Sequence, residues 1–233
     1  MTNRLFETCT KLGLEIQHAA EVGVYLPAAS NILGFIEQGI RTTLVEADPI
    51  TVRELRRYFQ GNAQVTIVPY AMSDRKGTVT FYRRNASTFL AELSSTPALV
   101  NDDYVPAPAD SFTVESQLFS AIDDGSIDLL SIDIEGAEWF VIKHLVSRPR
   151  VLSVETHGQL YENPFHQEIL SWMDENGYEV WYYDRSDTVF IRQGTVPPTL
   201  RRAMVLLVAT SRLRLRRYRK GWQRRLFGRT RKA

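Results

Sequence analysis

The segment Ser131-Ile132-Asp133-Ile134-Glu135-Gly136-Ala137-Glu138 follows the largely apolar run Ile127 to Leu130 and leads directly into Trp139-Phe140-Val141-Ile142. A short apolar run that ends in carboxylates and a glycine, then takes a helical pattern, reads as the carboxyl edge of a parallel sheet. Open α/β sheets bind their ligands at that edge. The chemistry of this chain is therefore expected near Asp133.

The 233 residues, 44% of them hydrophobic, can bury one full-sized core, and alternating strand and helix patterns predict a single α/β domain. One cysteine, Cys9, excludes an internal disulfide framework and a CxxC-type zinc site, as suits a reducing compartment. Met1 to Leu14 has no signal-peptide core, and no stretch reaches the roughly 18 apolar residues of a spanning helix, so a cytoplasmic protein is expected.

A net charge of +1 hides an asymmetry. Of 28 Lys/Arg and 27 Asp/Glu, 13 basic and no acidic residues lie in Arg201 to Ala233, leaving a body of −12 and a tail of +13. Such a split suggests a basic attachment segment on an acidic domain. Val196-Pro197-Pro198-Thr199 marks the boundary, because two prolines stop whatever element precedes them. The expected division is a domain over 1–195 and a tail over 196–233.

Along the body, Ile16 to Gly23 reads as a strand, Ala28 to Gln38 as a helix, Thr42 to Glu46 as a short buried strand, and Pro49 to Gln60 as a helix opened by proline at its most tolerant position. Gln64 to Pro69 and Thr78 to Tyr82 read as strands, the second after the turn Asp74-Arg75-Lys76-Gly77. Asn85 to Ser111 is polar, rich in Ser and Pro, and long enough to suggest a lid or binding loop. Helices are expected over Val114 to Ile122, Ala137 to Val146 and Phe165 to Asn176, and strands over Ile127 to Ile132 and Val151 to Glu155. Tyr178 to Tyr183 and Thr188 to Arg192 read as a closing antiparallel pair.

This order resembles the class I methyltransferase fold, and the specific motifs resemble the FkbM-type methyltransferases. They are Leu44-Val45-Glu46-Ala47-Asp48-Pro49, Ala71-Met72-Ser73-Asp74 before Gly77, the block from Ile127 to Glu138, Val151-Leu152-Ser153-Val154-Glu155, and Asn176-Gly177-Tyr178. The resemblance spans roughly residues 16 to 192. It implies a doubly wound, mostly parallel, Rossmann-like seven-stranded sheet, to which the basic C-terminal extension is added. It also implies S-adenosyl-L-methionine as methyl donor and an oxygen acceptor, either a small molecule or glycan-like.

Glu46 ends its strand 23 residues after Gly23, the placement in which a carboxylate accepts hydrogen bonds from the hydroxyls of an adenosine ribose. Glu21 and Gly23 occupy the first turn, where glycine lets the backbone approach a ligand and the carboxylate can meet an amino group. Where methyltransferases usually place a second glycine four residues on, this chain reads Gly23-Val24-Tyr25-Leu26-Pro27. The loop must then follow another path, and Tyr25 either covers the ligand or fills the space. Asp74 reaches the adenine edge or serves as an ordinary turn residue.

Asp133 would face the sulfonium and the acceptor, and Glu135 either contacts the acceptor or stabilises a helix start. Removing the proton of an unactivated hydroxyl calls for a base, and His157, just beyond the Val151 to Glu155 strand, is the candidate beside Asp133. Asp133, Glu155 and His157 could hold a divalent metal, although no spacing demands one; without it Glu155 would hydrogen-bond a polar acceptor. An Asp/Asn-Pro-Pro-Tyr/Phe run, a Pro-Cys nucleophile, a Gly-x-Ser-x-Gly elbow and a phosphate loop are all absent. The competing readings are a non-catalytic binding module that keeps the fold, and an RNA-associated methyltransferase.

On a helix, Leu200, Met204, Leu207, Ser211, Leu215, Tyr218, Trp222 and Leu226 form a mostly apolar stripe flanked by arginines. Such helices lie on anionic membrane surfaces, so residues 200–227 suggest a protein held peripherally on a membrane. Packing on a protein, or nonspecific RNA binding through phosphates, are the alternatives.

Overall fold

The computed structural model describes residues 4–84, 87–101, 104–158, 161–197, 204–208, 210, 211, 213 and 215. The chain runs α1 (Arg4–Lys11), β1 (His18–Val22), α2 (Leu33–Glu37), β2 (Arg41–Val45), α3 (Pro49–Tyr58), β3 (Val65–Val68), β4 (Ala71–Met72), β5 (Gly77–Arg84) and β6 (Ser87–Leu90). It continues through α4 (Pro97–Asn101), β7 (Ser111–Gln117), β8 (Leu129–Ile132), α5 (Glu138–Ile142), β9 (Val151–Glu155), α6 (His166–Glu175), β10 (Tyr178–Tyr183) and β11 (Asp187–Arg192).

Seven strands form the main sheet in the order β10-β11-β9-β8-β1-β2-β3. Strands β9, β8, β1, β2 and β3 pair in parallel, while β11 runs antiparallel to both β9 and β10. Strands covered on both faces need apolar side chains on both sides, which is why β8 and β9 are nearly continuous hydrophobic runs. Successive residues supply opposite faces: Ala20, Leu130 and Leu152 join one core, while Ala19, Leu129 and Val151 join the other. Leu129, Leu130 and Leu152 are fully buried, and truncating any of them to alanine should cost about 2–5 kcal/mol.

A second sheet of four strands, β4-β7-β5-β6, sits over the carboxyl edge of the first. Its apolar face, Val79, Phe81 and Leu90, packs with Ala71, Ala137 and Ile134 at the end of β8. The expectation of a helix over Val114 to Ile122 is corrected here: β7 runs to Gln117 and only a 3₁₀ turn, Phe119–Ala121, follows. Phe112 and Val114 alternate with exposed Thr113 and Glu115, a period of two that suits pairing with β5, where Phe112 stacks on Phe81. Nor is Asn85 to Ser111 an unstructured loop, since it holds β6 and α4.

The helix expected over Ala28 to Gln38 is broken into a 3₁₀ turn, Pro27–Ala29, and α2. Ser30 takes an extended conformation (φ −51°, ψ 132°), its hydroxyl donates to Glu21, and the Asn31 amide donates to the same carboxylate. That competition diverts the backbone from a helical path.

In the tail, residues 204–208, 210, 211, 213 and 215 are helical, with Met204, Val205, Leu207, Val208 and Leu215 exposed. Thr210 Oγ1 donates to Tyr183 Oη at 3.3 Å. Leu200, Tyr218, Trp222 and Leu226 of the expected stripe lie outside the described residues. Among the described residues, no helix is long and apolar enough to cross a membrane.

Candidate active site

The carboxyl ends of β1, β2 and β8, closed over by β4, β5 and β6, surround a cavity of about 310 Å³. Gly23 turns the chain out of β1 with φ +87°, and a Cβ there would lie 1.8 Å from the backbone oxygen of Asp133. Glycine is thus required by the close approach of two strand ends, as well as by the turn. The Glu46 carboxylate, at the end of β2, accepts from the Val24 amide at 2.9 Å and the Asp48 amide at 2.6 Å. Burial pushes its pKa up to about 7 against the pull of those amides.

Glu21 lines the same cavity, but its oxygens already receive hydrogen bonds from Ser30 and Asn31, and burial raises its pKa to about 7. Half-exposed Tyr25 stands on the cavity wall, and Pro27, the first residue of its 3₁₀ turn, does not line it. The loop without a second glycine therefore leaves the cavity open. Asp48 caps α3 through the Ile50 amide at 2.8 Å and pairs bidentately with Arg83 of β5, which ties the small sheet to the β2 end.

A second cavity, of about 470 Å³, lies between α1, the Ala28 to Leu33 segment and the β10–β11 hairpin. Asp133 lines both cavities. Polar residues that line the second cavity with it include Ser153, Ser186, Asp187 and Arg185. Asp187 accepts from the hydroxyls of Ser153 (2.8 Å) and Ser186 (3.1 Å).

Beneath Asp133 the acidic residues converge. One carboxylate oxygen each from Asp133, Glu138 and Glu155 lies within 4.8 Å of the others. Burial raises all three pKa values, and neighbouring carboxylates push those of Asp133 and Glu155 further up; Glu138 reaches about 7. Glu138 is the first residue of α5. Fully buried, it accepts from the amides of Ile134 (2.9 Å) and Gly136 (3.1 Å) and from the side chain of Asn163. These bonds hold the turn in which Glu135 takes a left-handed conformation, φ 57°.

Three of the expected site residues lie off both cavities. His157 lines neither cavity: it is 3% exposed, bonded through Nδ1 to Thr156 at 2.9 Å, and edge-on to the Tyr183 ring. Its backbone lies on the expected edge, but the turn back to the Ser186 carbonyl buries the ring under the β10–β11 hairpin. Asp74 lies away from the cavity lining; desolvation, the largest single effect, raises its pKa, but the hydrogen bonds and charges of Lys143 and His144 just after α5 together outweigh it and lower the value. Glu155 lies beneath the cavity walls, buried in the carboxylate cluster, and is not a lining residue.

Glu135 does line the first cavity, with Glu21, Gly23, Tyr25, Glu46 and Asp133. Sequence reasoning missed the apolar wall of Tyr70, Phe81 and Leu90, which depends on a hairpin folding back over the edge. Asp187 was missed as well; it reaches the site because β11 inserts beside β9, placing Asp187 opposite Glu155.

Sheet order, the single reversed strand and a cavity at the ends of β1, β2 and β8 define a class I methyltransferase-type α/β protein. Within that class, the chain belongs to the Methyltransferase FkbM domain family, which it matches over residues 18–180. No curated protein matches it significantly. Similar solved structures include a precorrin-6y C5,15-methyltransferase from Geobacter metallireducens, at 14% identity and a TM-score of 0.39, with 80% of this chain and 84% of that one covered. A protein assigned as a caffeoyl-CoA O-methyltransferase from Staphylococcus aureus has 13% identity, a TM-score of 0.46 and 82% of each chain covered. Aeropyrum pernix fibrillarin, solved with bound S-adenosyl-L-methionine, has 10% identity and a TM-score of 0.43, with 80% and 73% covered. The family assignment rests on the sequence match.

The first cavity fits S-adenosyl-L-methionine chemically. The Glu46 oxygens accept the Val24 and Asp48 amides, and a carboxylate offers about four lone-pair positions. Apolar Ala71, Met72, Phe81 and Leu90 face it across the cavity, suited to a planar base.

Proposed function

We propose that the protein transfers a methyl group from S-adenosyl-L-methionine to a hydroxyl oxygen of a small-molecule or glycan-like acceptor. When bound, the donor supplies an electrophilic methyl group on a cationic sulfonium. Glu46 holds the ribose hydroxyls, Glu21 provides negative charge for the amino group, and Tyr25 covers the open side. The observation that carries the reading is that Asp133 lines both cavities, one suited to the donor and the other, with its serines and Asp187, to a hydroxylated acceptor.

Asp133 accepts a hydrogen bond from the acceptor hydroxyl and is the group placed to take its proton. Burial and the nearby carboxylates make it more basic than an ordinary aspartate, and a well-placed base contributes about 10²- to 10⁴-fold. Orientation of the two substrates across this residue adds to that.

Calorimetric titration of S-adenosyl-L-methionine into the wild type and Glu46→Gln tests the donor site. The expected result is binding weakened at least about tenfold by the substitution, roughly 1.4 kcal/mol. With donor binding established, Asp133→Asn should retain it and lose methylation of any hydroxyl acceptor found by screening. A folded wild type that takes up no donor would overturn the reading and leave a binding module on a methyltransferase fold.

The tail supports a second element of the proposal, attachment to an anionic membrane surface. Met204, Val205, Leu207 and Leu215 are exposed on a helical segment within a region of 13 Lys/Arg and no acids. Sedimentation with phosphatidylserine vesicles should carry down the full chain and leave a chain ending at 197 in solution. Binding to RNA instead, falling steeply with salt, would favour the phosphate-binding alternative.

A further inference from the structure

Three carboxylates that approach one another without a cation are an unstable arrangement unless protons or a metal ion lie between them. Among the described residues, no ion pair reaches Asp133, Glu138 or Glu155. The spacing of their nearest oxygens, within 4.8 Å, is that of ligands on opposite or adjacent sides of one ion with metal–oxygen distances of about 2.0–2.6 Å.

Two observations outside that spacing point to a ligand. Glu155 Oε2 is buried with no hydrogen-bond partner, on a residue only 7% exposed. The hydroxyl of Tyr161, on a side chain that is completely buried, also has no partner, and it lies in the field of Glu138 and Glu155. Buried polar atoms are nearly always satisfied, so two such orphans, one within the carboxylate cluster and one in its field, point to a ligand there. Glu138 is already oriented as metal-bound carboxylates are, with its remaining lone pairs braced by the Ile134 and Gly136 amides and Asn163.

We propose that Asp133, Glu138 and Glu155 bind a hard divalent cation of the Mg²⁺, Mn²⁺ or Ca²⁺ class, with the Tyr161 hydroxyl beside it. All available donors are oxygens, and the single cysteine, Cys9, is packed in the opposite core, so a soft metal has no ligands here. Asp133 connects the ion to both cavities, which gives a path of entry and brings the ion within reach of an oxygen of a bound acceptor. The proposal does not rest on methyl transfer, because the ion is read directly.

The experiment is Mn²⁺ titration of the chelator-treated full chain, followed by the loss of the free-ion electron paramagnetic resonance signal. One ion per chain is expected, displaced by excess Mg²⁺ or Ca²⁺. Glu155→Gln should weaken binding at least about tenfold. Asp133→Asn, on the wall shared by the two cavities, should do the same. Donor binding by the metal-free protein, measured in parallel, reports on the methyltransferase reading alone. Absence of Mn²⁺ binding up to about 10 mM, beyond the weakest sites such ligands form, would overturn the proposal, as would equal affinity in the wild type and Asp133→Asn. The cluster would then be held together by shared protons.

Discussion

The Glu46 carboxylate accepts the Val24 amide at 2.9 Å, so the end of the second strand fixes the path of the loop that leaves the first. A loop lacking the second glycine is shaped by this bond and by the Asp48 amide on the other oxygen. Glu46→Ala would leave two partly buried amides without their acceptor. It should cost about 1–3 kcal/mol of stability, and urea denaturation would show it as a lower midpoint with unchanged slope. Glu46→Gln, which keeps one acceptor oxygen, should lose less stability while still weakening the donor. Equal stability for all three proteins would show that these bonds do not hold the loop.

Gly23→Ala should be among the most damaging single substitutions. Its new Cβ would sit 1.8 Å from the Asp133 carbonyl oxygen, with φ at +87°, so the β1 and β8 ends would have to separate. A loss above about 3 kcal/mol is expected. Gly39→Ala is the control, with φ +73° and nothing within 4 Å, and it should cost only about 1–2 kcal/mol, the penalty of the left-handed conformation itself. Comparable denaturation midpoints for the two variants would contradict the close approach.

How much of this was legible in the sequence follows from which interactions are local. The runs around Leu44, Leu130 and Leu152 and the acids that end them are readable because burial on both faces writes itself into consecutive residues. Gly23, Glu46 and Asp133 could be placed at one edge for the same reason. Side-chain direction could not: His157 and Asp133 share the edge, but the hairpin of β10 and β11 buries one ring while leaving the other carboxylate between two cavities. Val114 was read as the start of a helix, but its alternation with Phe112 has a period of two, and pairing with β5 makes the segment a strand. The carboxylate cluster depends on Glu138 turning inward from α5, a choice made by Asn163 and two amides that no spacing rule reveals.

His157→Gln should behave as a packing change. The ring is 3% exposed, bonded to Thr156 and set against Tyr183. A loss of about 1–3 kcal/mol is expected, with donor affinity unchanged and, once an acceptor is known, a pH–rate profile that keeps the wild-type shape. A selective loss of turnover in a fully stable variant would restore His157 as the base.

Stability should fall as pH rises from about 4.5 to 7, and Glu21 is one source of that slope. Burial raises its pKa from 4.5 to about 7 in the folded protein. Below about 4.5 the carboxyl is protonated in both states and the contribution is fully present. Between the two values the unfolded chain gives up its proton first, so unfolding is favoured by up to about 1.4 kcal/mol per pH unit. Above about 7 both states are ionised and the contribution is gone. Glu46 and Glu138, raised to about 7 by burial, act in the same direction. Urea unfolding at pH 5, 6 and 7 in the presence of a chelator should therefore show decreasing stability, with a shallower decline in Glu21→Gln, whose amide cannot ionise. Identical slopes for wild type and Glu21→Gln would mean that Ser30 and Asn31 stabilise the Glu21 carboxylate fully, leaving its pKa at the ordinary value.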